Sequence, residues 1–266
     1  FIAVANLGPG ETVDFAPLLG RGVNLMYVRL VPVTEAERLA WEKDGAKQEF
    51  RTVVGTNDGH YWLYGYGPRS TEELVEEFEG YQRTDFSQWW FGILGADLTF
   101  YPTRVGTLLG EGTEDFSEEG NQVLNQSVHA LDRKGINPLV VASEDLKRQG
   151  REFHVFVRPQ AWGASMPWEE TFDSRFYREH PEWRTVDREG RQAMYLSYAV
   201  PQVRQQILDV LREAIELSDP DGVGFFFNRG VPLILWEKAF ADRFRAEHGV
   251  DVMSVTTETR SKGFVR

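Results

Sequence analysis

From residue 50 onward, short apolar stretches alternate with longer segments whose apolar residues recur every three or four positions. A short apolar stretch bounded by turn residues is typical of a β-strand, and the longer spacing is typical of a helix with one buried face. The pattern predicts strands at 51–56, 88–94, 152–158 and 222–228. It predicts helices at 70–81, 118–134, 137–149, 201–214 and 234–248.

Capping signals define the limits of two of these helices. Ser70 followed three residues later by Glu73 forms a capping box at the start of the first helix. The run at 139–141 is also compatible with a strand. However, the Asn137-Pro138 start and Gly150 at the end are typical helix boundaries, so we predict a helix there.

The first 34 residues lack helical spacing, and we interpret them as β-sandwich-like strands too few to bury a core alone. Thr34 and Glu37 form a capping box that opens a short helix. We therefore divide the chain into sandwich-like strands at 1–34, a linker helix at 35–49 and a (β/α)-barrel region at 50–266. Because the chain opens without Met, we expect it to be a segment of a longer protein.

Repeated strand–helix units without hairpin signals predict an α/β fold with a parallel sheet. Two architectures compete, an open doubly wound sheet and a (β/α)8 TIM-type barrel. The Gly-rich motifs of nucleotide-binding sheets are absent from the sequence, and the long loops all follow strands, which favours the barrel. Four units make half a barrel, so we expect the remainder of a longer chain or a second copy, as a homo-oligomer, to complete it.

Charge and composition exclude several function classes. The chain of 266 residues has 29 Lys and Arg against 41 Asp and Glu, a net charge of −12, which argues against partners such as nucleic acid or an anionic membrane surface. No apolar run approaches the roughly 18 residues of a membrane span. Cysteine is absent, so disulfides and thiolate chemistry are excluded, and no spacing suggests a metal site or a cofactor.

Three segments carry a resemblance to a known family. They are Phe153–Pro159, the His180-Pro181-Glu182-Trp183 stretch followed by the Pro201 helix, and Asp221–Gly230. In this order they resemble bacterial glycoside hydrolase-like barrel proteins, over about residues 50–250. The resemblance implies a carbohydrate partner and an extracellular or periplasmic location.

The fourth strand departs from the family pattern. Gly224 and Phe226 stand where the family usually has carboxylates. Glycoside hydrolysis needs two carboxyl groups flanking the scissile bond. The acids that follow predicted strands are therefore the candidate catalytic residues, Asp58, Asp97 and Glu237. Each also has an ordinary structural interpretation: Asp58 as a turn residue, Asp97 as a loop residue and Glu237 as an acid in the first turn of a helix.

The candidate substrate-binding residues also follow strands. Arg158 lies at the end of the third strand, where its guanidinium could bind an acidic sugar or pair with a neighbouring acid. Trp162 belongs to an aromatic cluster that is either a platform for sugar rings or a small loop core. The remaining candidates are His60, Gln160, Asn228 and Arg229.

We predict a glycoside hydrolase-like protein that acts on a complex or acidic polysaccharide by carboxylate acid/base catalysis. Two alternatives stay open, a non-catalytic carbohydrate-binding protein built on a degenerate barrel and an assembly module. Two acids at the opening formed by the carboxyl ends of the strands would favour the enzyme. An acid-free aromatic groove there would favour the binding protein, and an opening filled by other segments would favour the assembly module.

Overall fold

The computed structural model describes residues 7–14, 28–45, 53–82, 84–113, 116, 118–164, 168–228 and 233–255. Most of the predicted N-terminal strands lie outside these ranges, and the described parts of 1–34 contain no strand. The helix α1 follows at Glu35–Gly45, where Thr34 and Glu37 form the predicted capping box. Within the described ranges, no helix is long and apolar enough to cross a membrane.

Four parallel strands form the main sheet, as the sequence predicts, in the order β1 (Val53–Asn57), β2 (Phe86–Gly92), β5 (Glu152–Val157) and β8 (Gly222–Phe225). The strand order follows the chain order without the reversal that marks a doubly wound sheet. In the part of the chain described, β1 and β8 are the two edges, so the strands form an open sheet.

Three helices pack side by side in the same order as the strands they connect, namely α3 (Thr71–Glu79), α5 (Pro138–Arg148) and α8 (Pro201–Ser218). Phe78 of α3 lies against Trp89 and Phe91 of β2, with ring centroids 6.3 and 5.8 Å apart. This face of the sheet is the core, and such a succession of βα units is the winding of a (β/α) barrel. The helices are α2 (Tyr61–Tyr66), α3 (Thr71–Glu79), α4 (Glu119–Arg133), α5 (Pro138–Arg148), α8 (Pro201–Ser218) and α9 (Lys238–His248).

The caps form as predicted and decide the ambiguous segment after residue 137. Asn137 Oδ1 accepts hydrogen bonds from the amides of Leu139 and Val140, at 3.0 and 3.3 Å. The segment is therefore a helix, and the strand interpretation is wrong. Ser70 Oγ caps α3 by accepting a hydrogen bond from the amide of Glu73 at 3.2 Å.

Short elements fill the long loops after β2 and β5. The first loop contains a parallel pair, β3 (Leu98–Thr99) and β4 (Thr107–Leu108). The second contains an antiparallel hairpin beside two short helices, and these lie over the carboxyl ends of the main strands. Its elements are α6 (Glu169–Phe172), α7 (Arg175–Glu179), β6 (Arg184–Val186) and β7 (Gln192–Leu196).

Aromatic rings cover the other face of the sheet and explain the departure from the family pattern. Trp90 stacks on His154 at 4.5 Å, and Phe156 stacks on Phe226 at 3.9 Å between ring centroids. A Cβ atom at Gly224 would lie 2.6 Å from the ring of Trp90. The position that holds a carboxylate in the family pattern therefore has no room for a side chain here.

Candidate functional site

The carboxyl ends of the strands meet at a cavity of about 410 Å³. In a parallel sheet wound this way, the loops that follow the strands are the usual place for a ligand site. His60 enters the cavity after β1, Leu94 after β2, and Arg158 and Gln160 after β5. The loop after β5 and the strand β7 add the outer wall, through Trp168, Phe172, Met194 and Tyr195.

An ion pair between Arg158 and Asp58 joins the ends of β1 and β5. The Arg158 side chain is 5% exposed and that of Asp58 is 37% exposed, so the pair lies at the boundary between protein and cavity. The guanidinium carbon also lies 5.2 Å from the ring centroid of Phe156. Because Asp58 compensates the charge of Arg158, the pair offers a ligand both donors and acceptors without a net charge.

Gln160 contributes a buried amide to the cavity. The residue is 2% exposed, and within the described ranges no donor reaches its carbonyl oxygen Oε1. A buried carbonyl without a donor costs free energy, on the order of 1–3 kcal/mol, unless a ligand supplies the hydrogen bond. The turn that carries it is fixed, because the Ala161 amide donates to the Arg158 carbonyl at 3.0 Å.

Aromatic side chains form the rim of the cavity. Trp168 is 44% exposed, and its Nε1 donates to Glu118 Oε2 at 3.1 Å, which orients the indole. Phe172 lies edge-on to His60 with ring centroids 5.7 Å apart. Exposed, oriented aromatic faces next to polar groups are suited to the apolar faces of sugar rings.

Asp97 is buried and does not line the cavity. It is 1% exposed, and burial raises the pKa of its carboxyl to about 6, an effect that Ser174, Gln206 and Arg175 offset only in part. A raised pKa is a property of a general acid. The carboxyl is within the fold, however, so a substrate would reach it only after rearrangement of the loop.

The pH dependence of stability tests this burial. Between pH 4 and 6 Asp97 is ionised in the unfolded chain and largely protonated in the folded one, so its contribution to stability falls as pH rises. We expect Asp97→Asn to remove this fall. The change in the free energy of unfolding from pH 4 to pH 7 should then be more favourable in the variant than in wild type by about 2–3 kcal/mol. Urea unfolding at pH 4, 5, 6 and 7 measures it, with Glu144→Gln on the exposed side of α5 as control. Parallel pH profiles for wild type and Asp97→Asn would contradict the assignment.

Glu237 is occupied by structural hydrogen bonds. It is 5% exposed; Oε1 accepts from Ser197 Oγ, and Oε2 accepts from the amide of Leu235 at 2.9 Å. These bonds tie the segment before α9 to the turn after β7. The carboxylate does not line the cavity, and its acceptor positions are directed at the protein itself.

Two other predicted residues also lie away from the cavity. Trp162 is fully buried, and its Nε1 donates to the Tyr198 hydroxyl at 3.2 Å. It belongs to the small loop core, which was the alternative interpretation of this cluster. Asn228 is exposed after β8 and does not line the cavity, and Arg229 lies outside the described residues.

No protein-family model matches the sequence, and no curated protein sequence matches it. An α-galactosidase and an α-amylase are among the solved structures that align with part of the chain. One is TtGalA, an α-galactosidase from Thermus thermophilus in complex with p-nitrophenyl α-D-galactopyranoside, at 12% identity and a TM-score of 0.36 over 66% of this chain and 30% of that chain. The other is AmyB, a maltogenic α-amylase from Thermotoga neapolitana, at 12% identity and a TM-score of 0.39 over 74% of this chain and 43% of that chain. The chain therefore spans less than half the length of either structure.

Three of the predicted binding residues line the cavity, namely His60, Arg158 and Gln160. None of the predicted acids lines it, and Asp58 is connected to it only by the ion pair with Arg158. The wall formed by Phe172, Met194 and Tyr195 was not predicted. The signal that could have indicated it is the aromatic-rich insertion at 159–193, which is too long for a simple strand–helix connection.

Proposed function

We propose that this glycoside hydrolase-like protein binds a saccharide in the cavity at the carboxyl edge of the sheet. The observation that carries the proposal is the buried Gln160 carbonyl, which has no donor in the described chain and belongs to a residue that lines a cavity of about 410 Å³. Sugar hydroxyl groups are donors that could satisfy it. The volume falls within the range of about 300–1,000 Å³ that is usual for small-molecule sites.

The rest of the cavity supports a neutral, hydroxyl-rich ligand. The Arg158–Asp58 pair presents donors and acceptors together, and a sugar hydroxyl can use both. Trp168 offers an exposed ring at the rim, and Tyr195 and Phe172 add aromatic surface. Because Asp58 already compensates the Arg158 charge, an acidic group on the sugar would add little to the affinity for this cavity. An extracellular or periplasmic location stays a prediction.

Hydrolysis is the second candidate function. Asp58 is paired with the cavity-lining Arg158, and Asp97 has the raised pKa, about 6, of a general acid. Cleavage would need both carboxyl groups to flank the bond, about 5–9.5 Å apart. A glycan panel on the purified chain, read for binding and for reducing-end release, distinguishes the two functions. Binding without release supports a carbohydrate-binding protein, and release that is lost in Asp58→Asn supports hydrolysis.

Replacement of Gln160 by Leu tests the carbonyl directly. We expect the affinity for a saccharide found in the panel to fall about tenfold, since a lost hydrogen bond to a buried acceptor costs roughly 1–2 kcal/mol. The free energy of unfolding should stay unchanged or rise, because the variant removes a buried acceptor without a donor.

The matched control for this variant is Gln205→Leu on the exposed side of α8. It should alter neither the affinity nor the stability. If Gln160→Leu loses stability and keeps the affinity, Gln160 is part of the fold and the proposal fails.

A further inference from the structure

A second concave surface runs along α4, with a volume of about 630 Å³. It includes Gln122, Asn125, His129 and Arg133 from successive turns of the helix. The opposite wall consists of Arg69, before α3, and the turn at Gly110. We call this surface the α4 groove. None of its lining residues lines the cavity at the strand ends.

The α4 groove concentrates positive charge in an acidic chain. The whole sequence has 41 acidic and 29 basic residues, yet among the described residues no Asp or Glu lines this groove. Among the described residues, neither Arg69 nor Arg133 makes a side-chain ion pair, and Glu73 accepts a hydrogen bond only from the backbone amide of Arg69. The Arg69 side chain has a long contact to Gln126 Oε1 at 3.4 Å. Both guanidinium groups are exposed and available to a ligand.

The floor of the groove holds a buried acceptor. Asn125 is 7% exposed, and no donor in the described part of the chain reaches its Oδ1. Gly110 has φ +75°, and a Cβ atom there would lie 1.9 Å from Asn125 Oδ1 and 3.2 Å from His129 Nε2. The glycine backbone thus lies directly against these two polar atoms. Any side chain at position 110 would cover them.

From this combination we propose that the α4 groove binds an oxyanion carried on a hydroxylated molecule. Arg69 and Arg133 would donate to the anion, which a phosphate, a sulfate ester or a carboxylate can supply. Asn125 Oδ1 would accept from a hydroxyl group of the same ligand, so a phosphorylated, sulfated or uronic sugar fits better than a bare anion. The site is separate from the saccharide cavity, and its existence does not depend on that proposal.

Calorimetric titration with glucose 6-phosphate, galactose 6-sulfate, glucuronate, inorganic phosphate and glucose tests the site and distinguishes the sources of the anion. We expect at least one charged sugar to bind more tightly than inorganic phosphate and glucose, with an affinity that falls as salt is added. Arg69→Gln and Arg133→Gln should each weaken it by roughly ten- to a hundredfold, the usual effect of losing a charge-assisted hydrogen bond.

Two controls locate the binding. Arg212→Gln, on the exposed side of α8 with a side chain that is 61% exposed, removes the same charge elsewhere and should leave the affinity unchanged. Arg158→Gln alters only the saccharide cavity and should also leave it unchanged. The proposal is overturned if no charged sugar binds, if Arg212→Gln weakens binding as much as Arg133→Gln, or if Arg158→Gln abolishes it.

Discussion

Replacement of Arg158 by Gln is expected to lower the affinity of the cavity for its saccharide by roughly ten- to a hundredfold. Arg158 lines the cavity, and its guanidinium is almost fully buried and lies beside the Phe156 ring. The side chain is therefore already ordered, and binding a ligand costs it little conformational entropy. Glutamine retains a donor but neither the charge nor the fork geometry. Titration with the saccharide identified in the panel measures the change.

Asp58→Asn is the partner variant, and it tests whether Arg158 and Asp58 bind the ligand together. If Arg158 and Asp58 bind a hydroxyl group as one unit, each single variant should lose about as much affinity as the double variant. Asp58 is 37% exposed and can be solvated when Arg158 is replaced, so the thermal stability of Arg158→Gln should fall only slightly. An unchanged affinity in Arg158→Gln would show that the ligand binds elsewhere.

The sheet was predictable because each of its strands has a local signal. The four apolar stretches are bounded by turn residues, and α3 and α5 begin at the caps that the sequence predicts. The short helix α2 was not predicted, since its sequence, Tyr61–Tyr66, is mostly aromatic and has no capping side chain. Its start depends on Trp62, whose Nε1 donates to the Gly59 carbonyl at 2.8 Å and whose ring packs against Phe78 and Phe91.

The sequence predicts only those residues of the candidate site that come directly after a strand. The residues after β1 and β5 reach the cavity because parallel strands end at one edge. Glu237 also follows a strand, yet its carboxylate accepts hydrogen bonds from the Leu235 amide and from Ser197. Ser197 is 40 residues away, and no local pattern indicates that contact. The outer wall of the cavity, which includes Trp168, likewise depends on how the long loop after β5 packs, and no local pattern indicates it.

The second large effect is expected for Gly59→Ala, at the turn that separates Asp58 from His60. Gly59 has φ +88°, and a Cβ atom there would lie 1.9 Å from the Gly92 carbonyl oxygen and 2.6 Å from the Phe100 ring. The carbonyl belongs to the end of β2 and cannot move without disrupting the sheet. The turn is held from both sides, because the Gly59 amide donates to Asn57 Oδ1 at 2.8 Å and its carbonyl accepts from Trp62. We expect a loss of about 2–5 kcal/mol in the free energy of unfolding, measured by urea denaturation.

Gly190→Ala separates the backbone strain from the steric conflict. Gly190 has a similar φ of +83°, in the turn between β6 and β7, but a Cβ atom there would meet nothing within 4 Å. Its substitution should therefore cost only the backbone term, about 1–2 kcal/mol. The difference between the two variants measures how closely the ends of β1 and β2 approach, and Asp58, next to this turn, is paired with Arg158. If Gly59→Ala costs no more than Gly190→Ala, the turn has room to relax, and the position of Asp58 beside Arg158 is not fixed by the backbone.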